Sequence, residues 1–174
     1  MSSDDVVFFL PIREIAEMLR RKEVSPTELA QTSLKRLQKF GPEYNAVITI
    51  TEKLAMRKAH LAERELLSGK DRGLLHGIPY GAKDLLATAG GIPTTWGAAP
   101  LRTQTFDYDA TVIQRLESAG AILAAKLSMV ELAGGMGYRK PNASFTGPGI
   151  NPWDTSRWSG GSSTGPGSAV AAGL

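Results

Sequence analysis

Arg157-Trp158-Ser159-Gly160-Gly161-Ser162-Ser163-Thr164-Gly165-Pro166-Gly167-Ser168 is the stretch on which the reading of this chain turns. Adjacent glycines open backbone angles that side chains forbid. Here they flank two neighbouring hydroxyls, so Ser162 and Ser163 lie on a backbone bent to present them. Pro166 suits the first turn of a helix, where its missing N–H costs nothing. The Ala-rich run to Leu174 continues that helix. The segment therefore predicts a tight loop that carries two serines into a helix N-terminus.

Glycine use changes sharply along the chain. Only Gly41 and Gly69 precede Gly73, and the other 17 of the 19 glycines follow from there. Residues 1–72 read as a helical opening, and residues 73–174 as the loop-rich first part of an α/β core, one incomplete domain overall. In the opening, Ile12, Ile15, Ala16 and Leu19 recur at helical spacing. Ser25-Pro26-Thr27-Glu28 reads as a capping box with proline at the first helical position. Val24 and Leu29 can staple that start. Leu29, Leu34, Leu37 and Phe40 supply the buried stripe, and Gly41-Pro42 stops the helix. The β-branched run Ala46 to Thr51 predicts a strand. Glu52 to Ser68 predicts another helix, with Gly69 at its end.

Beyond the border, Gly77-Ile78-Pro79-Tyr80-Gly81-Ala82-Lys83-Asp84 is small and apolar and places a lysine at its end. Asp109 is expected to cap a helix from Ala110 to Ser118, closed by Gly120. Ala121 to Ala125 predicts a buried strand that ends at Lys126. Alternation of strands and helices implies an α/β fold.

Composition narrows the function. Hydrophobic residues make up 42% and charged residues 21% of the 174 positions, an ordinary globular balance. No apolar run approaches the length that spans a bilayer. The net charge is +3, and the basic residues of the opening are interleaved with acids, as on solvated helix faces. A nucleic-acid footprint needs a one-sign patch with aromatics among it, so no nucleic-acid partner is expected. There is no cysteine, hence no disulfide framework, thiolate metal site or cysteine nucleophile. A cytoplasmic setting fits that composition.

Gly161-Ser162-Ser163-Thr164-Gly165 matches the G-x-S-x-G nucleophile elbow. That elbow needs an acid and then a histidine downstream. His60 and His76 are both upstream and no acid follows Ser163, so the elbow lacks its partners. The spacing Gly160 to Gly165 matches a phosphate loop, but Pro166 stands where the phosphate-reaching lysine belongs. Neither histidine has a second ligand at metal-binding spacing; both read as surface or loop residues, and no metal is expected. Lys83 remains. A serine can be deprotonated by a lysine held neutral, and burial lowers a lysine's pKa. Against this stands a simple pairing of Lys83 with Asp84 or another acid. Spacing alone leaves the two even.

A set of ordered pieces adds a further inference. They are Gly73-Leu74-Leu75-His76-Gly77-Ile78-Pro79 through Lys83-Asp84, Gly91-Ile92-Pro93-Thr94-Thr95 and Asp109-Ala110-Thr111. Ala119-Gly120-Ala121-Ile122 with Lys126, Glu131-Leu132-Ala133, Asn151-Pro152-Trp153-Asp154, and Arg157 leading into Gly160-Gly161-Ser162-Ser163 complete the set. With these, the chain resembles the N-terminal part of an amidase-signature enzyme over nearly its whole length. The fold this implies is α/β, with N-terminal helices followed by the first part of a mixed-sheet core. The activity it implies is amide C–N hydrolysis by a Ser–cisSer–Lys triad, without cofactor, on a small-molecule amide.

By that resemblance the catalytic lysine is Lys83. The bridging serine, which follows a cis peptide bond, is Ser162, and Ser163 supports the loop. Ala133 and Gly134 match a place where family members contact substrate through backbone. The family's acyl-forming serine and its oxyanion donors lie in a further Gly-Gly-Ser element that these residues do not reach. Thr164-Gly165-Pro166-Gly167 also departs from the Ser and Ala commoner there. The 174 residues alone are expected to be inactive. The A subunit of a tRNA-dependent amidotransferase, which uses the same triad as a glutaminase, is an alternative. So is a non-catalytic interaction module, whose unburied half-core calls for self-association or a partner subunit.

Overall fold

A computed structural model describes residues 6–134 and 139–174. A short turn of 3₁₀ helix at Val7–Phe9 precedes helix α1, Ile12–Arg20, which buries Ile15, Ala16 and Leu19 and leaves Ile12 at its exposed start. Helix α2 is Pro26–Phe40. Its capping box forms as the sequence requires. Glu28 N–H donates to Ser25 Oγ at 3.1 Å, and Ser25 N–H donates to Glu28 Oε2 at 2.8 Å. Val24 packs in the same apolar cluster as Leu29, which completes the staple.

Strand β1, Val47–Ile50, leads into helix α3, Glu52–Leu67. Strand β2, Pro79–Lys83, ends on the lysine that the sequence places there. Helix α4, Thr111–Ser118, returns the chain to strand β3, Ile122–Leu127. A single turn at Glu131–Ala133 and helix α5, Thr164–Ala171, complete the order. Among the described residues no helix is long and apolar enough to cross a membrane.

The sheet is mixed, in the order β1-β3-β2. Strand β3 is its centre and is buried at all six positions. It runs antiparallel to β1, with Ile50 opposite Ala125, and parallel to β2, with Lys83 opposite Leu127. A strand from the helical opening thus shares a sheet with two from the glycine-rich part. The main core follows the same pattern. Ala30, Leu34 and Leu37 of α2 and Ala55 and Ala59 of α3 meet Ile122, Ala124, Ala125 and Leu127 of β3 and Ala169 of α5. Alanine on the inner face of α3 lets that helix lie close on the strand, where a larger side chain would hold it off.

One local expectation is corrected. Asp109 does not cap α4: the residue at the cap is Ala110, with no side-chain bond. The Asp109 carboxylate instead accepts from Ala89 N–H at 2.7 Å, so a contact twenty residues back in the chain outweighs the local one. His76 is a loop residue but not a surface one, being 2% exposed. Its Nδ1 accepts from Arg72 N–H at 3.1 Å, which puts the ring proton on Nε2, 3.2 Å from Glu65 Oε2. Burial lowers the pKa of its ring.

Candidate active site

The two parallel strands end together, and Asp84 N–H extends their ladder by donating to Leu127 O at 2.9 Å. Lys83 leaves the end of β2 on the face covered by α5, and its Nζ donates to Ser162 Oγ at 2.7 Å. Burial lowers the lysine's pKa. Among the described residues no carboxylate lies within ion-pair distance of it. The alternative pairing with Asp84 is thereby answered. Asp84 takes Lys126, with Nζ 3.3 Å from Oδ1 and both side chains fully buried.

Ser162 owes its place to the loop before α5. The Gly161–Ser162 peptide bond is cis. Val130 N–H donates to Ser162 O at 3.0 Å, and Gly165 N–H to Ser128 O at 2.9 Å, so both sides of the serine are tied to the segment that follows β3. The hydroxyls that hold the loop are those of Ser159 and Ser168. Ser159 Oγ donates to Thr164 O at 3.1 Å, and Ser168 Oγ donates to Ile150 O at 2.7 Å. Ser163 stands at the N-cap of α5, exposed, and its side chain makes no capping bond.

Ala133 and Gly134 close the turn after β3. Leu132 and Ala133 both hold left-handed backbone, at φ 52° and 57°, and so does Trp96, at φ 53°. Non-glycine residues adopt that region at a cost of about 1–3 kcal/mol each and persist where surrounding bonds over-determine them. Here Leu132 N–H donates to Trp96 O at 2.8 Å, Glu131 N–H to Ala143 O at 2.7 Å, and Phe145 N–H to Gly97 O at 3.1 Å. Three loops are laced together beside the serine. Val130, whose N–H holds Ser162 O, opens the same turn, so Lys83, Ser162, Ala133 and Gly134 belong to one bonded assembly.

The residues that sequence reasoning left without a role are Asp84, Lys126, Thr94 and Thr95. Asp84 Oδ2 accepts from Thr95 N–H at 2.9 Å and from the Thr95 hydroxyl. Lys126 donates to Leu86 O at 2.9 Å and to Thr94 Oγ1 at 2.7 Å. The signal was a lysine inside Ile122-Leu123-Ala124-Ala125-Lys126-Leu127, an otherwise apolar buried strand. The histidines bond elsewhere: His60 meets Thr27, and His76 meets Arg72. Among the described residues no cluster of His, Asp or Glu could hold a metal.

A family model described as Amidase matches residues 28–174. The chain belongs to the amidase family. It is 37% identical, over 96% of its length, to the glutamyl-tRNA(Gln) amidotransferase A subunit of Carboxydothermus hydrogenoformans, and covers 34% of that protein. It superposes with a TM-score of 0.79 and 30% identity on the native peptide amidase of Stenotrophomonas maltophilia, over 91% of this chain and 33% of that one. A protein solved in a vestigial complex bearing on the origins of an s-triazine catabolic enzyme gives a TM-score of 0.86 at 32% identity, over 94% of this chain and 35% of that one. The amidase chain thus spans about a third of the length of these relatives. Its mixed α/β architecture is that of the family.

Proposed function

We propose that Lys83 and Ser162 are the proton-relay half of a Ser–cisSer–Lys amide hydrolase, and that the nucleophilic serine and its oxyanion donors lie outside residues 1–174. The observation that carries this is the 2.7 Å contact between Lys83 Nζ and Ser162 Oγ, made by a lysine that burial inclines toward its neutral form.

In that form Lys83 takes the proton of Ser162, and Ser162 takes that of the nucleophile. The nucleophile's oxygen attacks the amide carbonyl, and the resulting tetrahedral oxyanion is held by backbone N–H donors. When the C–N bond breaks, the proton returns through Ser162 to the leaving nitrogen, which departs as ammonia or an amine. Water then hydrolyses the acyl-enzyme along the same relay. Ala133 and Gly134 offer backbone to the substrate, a small-molecule amide. No cofactor enters any step.

The test is ammonia release from simple amides by the full-length protein. Lys83→Ala and Ser162→Ala are each expected to lower kcat by about 10²–10⁴-fold. Residues 1–174 alone are expected to release none. Turnover by residues 1–174 that Lys83→Ala abolishes would place the nucleophile inside them and overturn the reading.

The similarity to the A subunit of an amidotransferase supports a second reading, in which the same relay serves as a glutaminase and ammonia passes to a partner subunit. Rates on glutamine against other amides, with and without a partner, distinguish the two.

A further inference from the structure

Lys126 and Asp84 form a buried ion pair that the proposed chemistry does not use. The register places Lys126 opposite Ala82, so the two side chains share a face of the sheet. Asp84 is two residues on from Ala82 and returns to that face, while Lys83 between them points to the other. A carboxylate with no exposed surface therefore sits one residue from the lysine whose neutral form the relay needs. Left alone, its charge would favour the protonated lysine, because a desolvated carboxylate is poorly screened. Lys126 is placed to oppose this. Burial lowers its own pKa, but the Asp84 carboxylate works against that and favours its charged form. Its Nζ lies 3.3 Å from Asp84 Oδ1 and is held there by Leu86 O and Thr94 Oγ1.

Few charges face Lys83. Helix α5 carries no ionisable residue, β1 carries none, and β3 carries only Lys126. Helix α2, which also packs against β2, carries Glu28, Lys35 and Lys39 at exposed positions, and its buried Arg36 bonds Ala172 O and Gly173 O at the far end of α5. The Asp109 carboxylate, bonded to Ala89 N–H, also acts on Lys126. Among the described residues, the ion pair next to Lys83 in the chain is that of Asp84 with Lys126, two charges of opposite sign.

We infer that Lys126 is a positioning residue for the electrostatics of Lys83: it neutralises Asp84 across the sheet, so that Asp84 can pin the Thr95–Gly97 loop without charging the lysine next to it. The inference rests on Lys83 being the base of the relay. It assigns a task to a pair that would otherwise be a costly way to fill a core, since buried ion pairs are often no more stable than apolar residues of the same volume.

The experiment is competitive trace labelling of the protein with acetic anhydride across pH, read at Lys83 by peptide mass spectrometry. It needs no turnover. In the unsubstituted protein Lys83 is expected to titrate below the exposed lysines; if it titrates with them, the relay reading itself fails. Lys126→Met is expected to raise the proton affinity of Lys83 about tenfold. Asp84→Asn is expected to leave it unchanged or lower it, and Asp84→Asn/Lys126→Met to restore the original value. A merely structural role predicts that both single substitutions loosen the site and move Lys83 the same way. The inference is overturned if Lys126→Met leaves the titration where it was, or if Asp84→Asn raises it. Should neither single variant fold, the double variant decides, because an apolar pair is tolerated where a lone buried charge is not. A restored titration supports the compensation, and a raised one refutes it.

Discussion

Gly165 N–H donates to Ser128 O at 2.9 Å, and this bond seats the serine loop on the end of the central strand. The approach is so close that only glycine fits. A Cβ at residue 165 would lie 2.4 Å from both Ala46 O and Ser128 N. These are backbone atoms, which cannot swing aside as a side chain can. Gly165→Ala is therefore expected to push α5 off the sheet and carry Ser162 away from Lys83. Overpacking of this kind costs about 1–3 kcal/mol. Urea denaturation measures it; an unchanged midpoint would show that the helix start is not held against the strand.

The far end of the same helix is held by Arg36. Its Nε donates to Gly173 O at 2.6 Å and its guanidinium to Ala172 O at 3.0 Å, with the rings of Phe8, Phe9 and Phe40 around it. Ala172 is the C-cap of the helix, whose carbonyl has no partner within the helix, and Gly173 is the residue after it. Arg36→Met keeps the volume and the contact with the rings but removes the donors. Left without those partners in a buried setting, the carbonyls are expected to cost roughly 1–3 kcal/mol. Arg36→Lys should recover only part of that, because one ammonium cannot reproduce a planar fork. Thermal melting of the two variants reads the difference.

What the sequence made legible depended on how far apart the deciding atoms lie along the chain. The α2 capping box needs only Ser25 and Glu28, and it forms as expected. The small, apolar run ending in Lys83 and the glycine-flanked loop at Ser162 were also visible, because residue size and glycine content are local signals. The partner of Asp109 and the burial of loop residue His76 were not visible, for the opposite reason. The partner of Asp109 is the amide of Ala89, and His76 is enclosed by Glu65, Arg72 and Gly120, none of which local propensity can see. The order β1-β3-β2 and the Asp84–Lys126 pair likewise come from pairing across the fold. The contact between Lys83 and Ser162 was expected from family resemblance; residue spacing alone left it undecided.

Glu65 ties α3 to the loop before β2 and gives the protein an acid-sensitive joint. Arg72 bonds its carboxylate at 2.8 and 2.6 Å and Lys70 at 2.7 Å. Those bonds, the Arg72 ones foremost, bring its pKa from the ordinary 4.5 down to about 2. The folded state thus favours the ionised form. The stability this contributes is complete above about pH 4.5 and is lost as the pH falls toward about 2. Glu65→Gln is expected to cost roughly 1–3 kcal/mol at pH 7 and to flatten the loss of stability below pH 4.5. Denaturant titrations at pH 7 and pH 3 check both halves; an equal cost at the two pH values would contradict the assignment.

Lys83 should behave in the opposite way, as a group kept for chemistry at the expense of stability. Its pKa is lowered by burial, and no acid repays the desolvation. The unfolded chain binds the proton more tightly than the folded one, so Lys83 opposes folding at neutral pH. The opposition fades as the pH rises through the folded-state value toward that of an ordinary lysine. Lys83→Met keeps most of the volume and removes the charge. It is expected to raise stability at pH 7 by about 0.5–2 kcal/mol, in the range seen when a functional site is relieved of its strain. The gain should shrink as the pH approaches 10.5, where an ordinary lysine gives up its proton. Denaturation of the two proteins at pH 7 and pH 10 separates this from a packing effect, which would not depend on pH. A loss of stability at pH 7 would mean that the bond to Ser162 outweighs the burial of the amine, and that Lys83 is held as a charged structural group.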